Sequence, residues 1–118
     1  MTATLKYTIS YVEDMDKSVK FYVDILGLSL RFSSPQWSEF DTGPTTMALH
    51  IASDERPAGT CQLGFDLDDL TAFHATAMSA GVTFTVPPTM LHGRRIAKFR
   101  DLNGAEVSVS GPSPADPR

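Results

Sequence analysis

This 118-residue chain contains three histidines and one cysteine. These are its residue types best suited to proton transfer, nucleophilic attack or metal binding. His50 lies among alternating apolar residues, which predicts a strand with the imidazole on one face of a sheet. There it can act as a general base or be a hydrogen-bonded strand residue without a chemical task, and both readings stay open. His74 and His92 are predicted on a helix surface and at a loop edge. Cys61 has no adjacent base in the sequence and is predicted to be an inert small apolar residue.

Common catalytic and nucleotide-binding motifs are absent from the sequence. It contains no phosphate-binding loop, no dinucleotide glycine fingerprint, no C-x-x-C pair, no H-E-x-x-H and no G-x-S-x-G. The formal net charge is -4, and no basic cluster exceeds the pair Arg94-Arg95, so nucleic acid is not an expected partner. No apolar run has the length of a membrane span and no signal-peptide pattern begins the chain, so no membrane partner is expected. With a single cysteine, these features predict a cytoplasmic protein.

The stretch from residue 5 to residue 30 predicts a strand, a helix and a second strand. Leu5 to Val12 is rich in β-branched and aromatic residues, which suit a half-buried sheet surface. Asp14 can cap a helix, and Gly27 can end it in the left-handed conformation. The predicted helix has an apolar stripe of Met15, Val19, Tyr22 and Leu26.

The rest of the chain predicts a second helix and further strands. The helix begins at Asp68 or Asp69 and runs through Ala80, and Pro87-Pro88 is expected to break the strand before it. The remaining strands are predicted at 28–32, 37–41, 46–52, 60–67, 82–86, 92–99 and 105–110. We expect one domain over residues 1–112, with modules 4–53 and 60–111 and a disordered tail over 113–118.

The two halves repeat each other. Asp14-Met15 corresponds to Asp69-Leu70, and Gly27-Leu28 corresponds to Gly81-Val82. Each half has one helix and four candidate strands, which predicts an α+β fold. Because one half cannot bury both faces of its sheet, we expect the halves to pair.

Two stretches resemble a known family. Residues 11–28 carry the pattern Y-V-x-D-M-x-x-S-V-x-F-Y-x-x-x-L-G-L, and residues 99–104 are similar to an F-x-D-P-x-G turn, with Leu102 in place of the proline. Both resemble the vicinal-oxygen-chelate superfamily, which includes glyoxalase I, extradiol dioxygenases, and bleomycin and fosfomycin resistance proteins. The resemblance implies two βαβββ modules whose paired antiparallel and mixed sheets enclose a cavity. It also implies a homodimer.

The resemblance also indicates where a metal would bind. In metal-using members the ligands lie at positions that correspond here to Tyr7, His50, Gln62 and Ser108. Only His50 is a strong ligand for a divalent metal, since tyrosine must first lose its proton and amide and hydroxyl groups donate weakly. We therefore expect no bound metal and no cofactor.

The same positions suit a pocket for a small organic ligand, with aromatic walls and a few polar groups. Arg94, with Arg95, is expected to bring positive charge to its mouth and to favour an acidic or phosphorylated ligand. The candidate ligand-binding residues are Tyr7, Tyr11, Trp37, His50, Gln62, Arg94 and Ser108. The alternative that they are ordinary strand, core or interface residues stays open.

The leading functional prediction is a metal-independent small-molecule-binding protein that can sequester a drug or metabolite. One alternative is a lyase or isomerase acting on a small carbonyl or acid substrate, with His50 as general base and Tyr7 and Gln62 orienting the oxygens. A metal-dependent glyoxalase-like or dioxygenase-like enzyme is the version that the ligand set disfavours. A third alternative is a dimerising accessory subunit whose cavity is filled by its own side chains.

Overall fold

The computed structural model describes residues 2–112, which form eight strands and two helices. The strands are β1 Ala3–Val12, β2 Ser29–Ser33, β3 Trp37–Asp41, β4 Thr46–Ile51, β5 Cys61–Leu67, β6 Phe84–Leu91, β7 Arg94–Arg100 and β8 Glu106–Pro112, and the helices are α1 Met15–Asp24 and α2 Leu70–Ser79. No helix in this part of the chain is long and apolar enough to cross a membrane.

The chain divides into two compact units, and each contains one helix and a mixed sheet. The first unit is Lys6–Gln62, with strand order β2-β3-β4-β1. The second unit takes residues 63–112 together with residues 2–5, and its strand order is β5-β8-β7-β6. The predicted α+β fold class is confirmed. That the two sheets enclose a cavity stays a prediction.

Helix α1 covers one face of the first unit's sheet. Strand β1 pairs with β4 in parallel, and β2, β3 and β4 pair antiparallel through short turns as predicted. Met15 of α1 packs with Val12, Phe40 and Leu49 in a buried cluster on that side of the sheet. The opposite side is called the helix-free face below. By strand alternation it carries Tyr7, Ile9, Tyr11, Trp37, Glu39, Ala48 and His50.

Aspartate caps start both helices, as the sequence predicts. The Lys17 backbone N–H donates to Asp14 Oδ1 at 3.1 Å, and the Ala72 N–H donates to Asp69 Oδ1 at 2.9 Å. Asp69 is therefore the cap of α2, and Asp68 instead accepts from the Thr2 N–H at 3.2 Å. After each helix a glycine takes a positive φ (Gly27 at 79°, Gly81 at 84°), as expected for left-handed caps.

Helix α2 covers one face of the second unit's sheet, where a buried cluster contains Leu70 of the helix and Leu67, Ala97 and Val109 of the strands. The expected break at Pro87-Pro88 is wrong, because β6 continues through both prolines. Strand β6 is the last in this unit's order and pairs only with β7 there, so a missing N–H on its other side breaks no ladder bond. The register also shifts between Val86 and Thr89, which takes the prolines out of the paired positions.

A two-residue turn joins β6 to β7. His92 and Gly93 have φ values of 50° and 81°, and Leu91 pairs with Arg94 across the turn. The strand predicted to begin at His92 therefore begins at Arg94. At the other end, β8 continues to Pro112, two residues beyond the predicted strand. The tail expected to be disordered, residues 113–118, lies outside the described residues.

Candidate functional site

Three rings from three neighbouring strands meet on the helix-free face. In the strand ladders His50 pairs with Trp37 on one side and with Tyr11 on the other. The ring centroids of Trp37 and His50 are 6.0 Å apart, and those of Tyr11 and His50 are 5.2 Å apart. Directly paired residues point to the same side of a sheet, so the ladder brings these three predicted residues together.

Trp37 also contacts Tyr7, which is not its ladder neighbour. Tyr7 pairs with Thr46, yet its ring lies 5.5 Å from that of Trp37 with an interplanar angle of 80°. Ala48 lies between these positions on β4 and is 0% exposed, and it belongs to the buried cluster with Ile9 and Tyr11 against which Tyr7 and Trp37 pack. The small side chain of Ala48 leaves the room that the indole needs to lie diagonally across the face.

His50 makes one hydrogen bond that fixes its ring. Its Nδ1 is 2.8 Å from the backbone oxygen of Ile51. A carbonyl oxygen can only accept, so this bond assigns the proton of the neutral ring to Nδ1 and leaves the Nε2 lone pair available. Among the described residues, no hydrogen-bond partner reaches Nε2. The half-buried ring can therefore accept a hydrogen bond or a proton from a ligand.

Two residues of the face were not among the sequence-derived candidates. Trp37 Nε1 donates to Glu39 Oε2 at 2.8 Å, and Arg31 Nε lies 3.9 Å from Glu39 Oε1. The signal for Glu39 was its alternation with Trp37 on β3, which places both side chains on one face. Arg31 of β2 also contacts β4, where its Nη2 donates to Thr46 Oγ1 at 2.9 Å. No pattern in the sequence around Arg31 predicts this contact.

Exposure divides the predicted first-unit residues into two groups. Tyr11 is 2% exposed and Gln62 is 3% exposed, and both make polar or ring contacts within the protein. Tyr7, Trp37 and His50 are half-buried. In the chain as described, the second group reaches the surface, and Tyr11 of the first group packs against His50 of the second.

Arg94 and Ser108 belong to the second unit. Ser108 pairs with Gly64 and Lys98 and lies on the strand face that alternates with buried Val109, away from α2. Arg94 is ion-paired with Asp66. The expectation that Arg95 adds its charge beside Arg94 is wrong, because Arg95 Nη1 donates to Thr71 Oγ1 of α2 at 2.7 Å and so lies on the opposite face.

Two grooves of the first unit lie near α1. One of about 400 Å³ is lined by residues such as Ser10, Tyr11, Lys17 and Phe21, and one of about 490 Å³ lies near Asp14 and Pro35. Of the predicted residues of this unit, Tyr11 lines the first groove, whereas Tyr7, Trp37 and His50 line neither. We place the candidate site on the helix-free face because the rings and the available imidazole nitrogen are there.

The sequence of residues 4–109 matches the family model of the Glyoxalase/Bleomycin resistance protein/Dioxygenase superfamily. The chain belongs to this superfamily. The resemblance derived from the sequence patterns is thereby confirmed over nearly the whole chain. No curated protein sequence matches the chain significantly.

Several solved structures are similar to this chain over most of its length. The chain is similar to methylmalonyl-CoA epimerase from Mycobacterium tuberculosis, with a TM-score of 0.73 and 20% identity over 93% of this chain and 88% of that one. It is similar to a superfamily member from Vibrio splendidus 12B01, with a TM-score of 0.70 and 12% identity over 93% of this chain and 99% of that one. It is also similar to a protein described as an NAD-dependent benzaldehyde dehydrogenase from Legionella pneumophila, with a TM-score of 0.74 and 18% identity over 91% of this chain and 98% of that one. At these identities the likeness shows the fold.

The donor set of this superfamily member does not fit a resident divalent metal. Such sites use three or four protein ligands. Within residues 2–112, no group of three or more histidine, cysteine, aspartate or glutamate side chains is arranged to hold a metal ion. On the helix-free face the carboxylate of Glu39 is already bonded to Trp37 and paired with Arg31. His50 is left as a single strong ligand.

Proposed function

We propose that the helix-free face of the first unit binds a small organic molecule without a metal ion. The observation that supports this most directly is the meeting of Tyr7, Trp37 and His50, three half-buried rings with an imidazole nitrogen available to a ligand. Small-molecule sites combine aromatic walls with a few placed hydrogen-bond groups, which matches this set. A planar or partly unsaturated ligand would stack against the indole and donate a hydrogen bond to His50 Nε2.

A role in sequestering a drug or metabolite follows from binding without turnover. The chain is also proposed to be a homodimer, which the superfamily resemblance supports, and to be cytoplasmic, which its one free cysteine, Cys61, supports. Light scattering of the purified protein tests the dimer. A monomer at the concentrations used for ligand binding would contradict it.

The binding test can use Trp37 as an internal reporter, because it is the chain's one tryptophan. Protein treated with a chelator is titrated with a panel of aromatic metabolites, acyl thioesters and antibiotics while indole emission and thermal unfolding are followed. A ligand at 100 times its Kd should stabilise the protein by about 2.7 kcal/mol. Trp37→Phe should weaken the binding of the same ligand, because phenylalanine retains an aromatic wall. Trp37→Ala removes that wall and should nearly abolish binding. Binding that appears only after a divalent metal is added would contradict the proposal.

A second candidate function is proton transfer by His50 next to a carbonyl group. The observation that favours it is the Nδ1 bond to the Ile51 carbonyl, which directs the basic nitrogen away from the backbone. The structurally similar epimerase of Mycobacterium tuberculosis makes acyl-CoA thioesters a reasonable first panel. Exchange of substrate C–H protons with D2O, followed by NMR, measures the reaction. His50→Gln should abolish exchange while binding persists, and exchange that survives in this variant would contradict the role of His50.

A further inference from the structure

We propose that Glu39, held by Arg31, is a positioning residue that fixes the indole of Trp37 in one orientation on the helix-free face. Neither residue is placed in contact with ligand by this inference. The positioning role of Glu39 deepens the proposed function. It rests on that function only in one respect, namely that the orientation of the indole affects the affinity for a ligand.

The contact between Glu39 and Trp37 is a hydrogen bond to a charged acceptor. The two residues are two positions apart on β3, so their side chains lie on the same face, and Nε1 is 2.8 Å from Oε2. The ring contacts with Tyr7 and His50 hold the flat indole by its faces and edges, and a rotated indole would keep much of that packing area. The N–H bond is directional, so Glu39 selects which edge of the indole faces along the strand.

Arg31 holds Glu39 in place for this contact. Its guanidinium donates to Thr46 Oγ1 at 2.9 Å and to the Phe40 carbonyl at 3.3 Å, which anchors it across β3. From there Nε lies 3.9 Å from Glu39 Oε1, an ion-pair distance without a hydrogen bond. The side chain of Glu39 is 22% exposed, so its charge is partly removed from water and gains from a nearby cation. Side chains of β2, β3 and β4 thus form one chain of polar contacts that ends at the indole.

This arrangement prepares the face before a ligand arrives. A tryptophan that is free to rotate must lose that freedom when a ligand stacks on it, and this loss weakens binding. An indole already fixed by Glu39 avoids most of the loss. Glu39 therefore acts on affinity through Trp37.

The first experiment needs no ligand, because the emission and near-ultraviolet circular dichroism of the single tryptophan report its environment. Glu39→Ala should shift the emission to longer wavelength, increase acrylamide quenching and reduce the near-ultraviolet band. Glu39→Gln should restore most of the native signal, since the amide oxygen accepts the same N–H bond. Arg31→Met should give an intermediate effect. Asp41→Asn removes an exposed carboxylate from the same strand and should change nothing.

The second experiment is a double-mutant cycle on the affinity of a ligand found in the panel. Glu39→Ala should weaken binding about fivefold in the native background, the worth of one ordinary hydrogen bond. In the Trp37→Phe background, where no N–H donor exists, the same substitution should have no effect. An equal loss in both backgrounds would overturn the positioning role, as would native tryptophan signals in Glu39→Ala. An altered tryptophan signal with no ligand in the whole panel would support the positioning role and count against the proposed function instead.

Discussion

Trp37 and His50 face each other across the β3–β4 ladder, with ring planes at 85° and centroids 6.0 Å apart. Edge-to-face ring pairs of this kind contribute beyond the area they bury. The pair also joins the chain's one tryptophan to the imidazole that has a nitrogen available. Any change at His50 should therefore be visible at Trp37.

Replacing His50 by alanine removes one of the two ring contacts of Trp37. We expect a loss of about 1 kcal/mol in the free energy of unfolding and a shift of the indole emission to longer wavelength. Urea unfolding and emission spectra measure both. His74→Ala is the matched control, because His74 contacts Phe84 of the second unit at 4.7 Å. It should cost similar stability with no emission change, and an unchanged emission in His50→Ala would contradict the described ring contact.

Enlarging Ala48 should disturb the face from below. Ala48→Leu adds volume at a fully buried position in the cluster against which Tyr7 and Trp37 pack, so we expect a loss of about 1–3 kcal/mol in the free energy of unfolding. Ligand binding should weaken as well, since both rings must move. Ala52→Leu, at a half-buried position just past β4, should cost less. Equal costs at the two positions would show that Ala48 is not the constrained one.

Gly111 of β8 cannot carry a side chain without a shift of its neighbours. A Cβ atom there would lie 2.9 Å from the backbone oxygen of Leu67 and 3.3 Å from Leu70 Cβ. Gly111→Ala should lower the free energy of unfolding by about 1–3 kcal/mol, because backbone cannot move aside cheaply. Chemical denaturation measures it, with Ser110→Ala as the neighbouring control. A neutral Gly111→Ala would mean that this part of β8 lies farther from α2.

The two aspartate caps should have separable effects on stability. Asp14→Ala and Asp69→Ala each remove a bond to a free backbone N–H and should each cost about 1 kcal/mol. Asp16→Ala removes a charge from the first turn of α1 without removing a cap bond and should cost less. Thermal and urea unfolding of the three variants test this order. A larger cost at Asp16 would contradict the assignment of Asp14 as the cap.

The pKa of Lys20 on α1 is raised above the ordinary 10.5, because Asp24 accepts a hydrogen bond from its ammonium group and attracts its charge. A raised pKa means that the pair favours the folded state at neutral pH and that this contribution disappears as pH rises through the folded pKa. NMR titration of the Lys20 side chain measures it. Asp24→Asn should lower the value toward 10.5, and an unchanged value would contradict the pair.

Local chemistry explains why much of the fold is predictable from the sequence. The caps at Asp14 and Asp69 and the left-handed glycines after each helix act within a few residues, so their signals are complete in the sequence. Strand alternation correctly places Tyr7, Trp37 and His50 on one face. The same alternation separates Arg94 from Arg95, and treating them as one charged pair overlooked it.

What the sequence does not predict depends on neighbours distant along the chain. Pro87-Pro88 predicts a break because prolines cannot donate. The position of β6 at the end of its unit's strand order and the register shift between Val86 and Thr89 make the prolines acceptable. The approach of Arg31 to Glu39 depends on the register of the β2–β3 pair, in which Ser29 lies opposite Asp41 and Leu30 lies opposite Phe40. That register was not predicted from the sequence, so Glu39 could be placed beside Trp37 but not given its counter-ion.

The residues before Lys6 group with the later half of the chain, and the Thr2 N–H donates to Asp68 just ahead of α2. A fragment that begins at the junction between the two repeats would therefore lack residues 2–5, which belong to the same compact unit. Deleting residues 2–5 should loosen α2 before it affects the rings of Trp37 and His50. A short segment on the N-terminal side of the first unit thus stabilises the unit that follows it in the sequence.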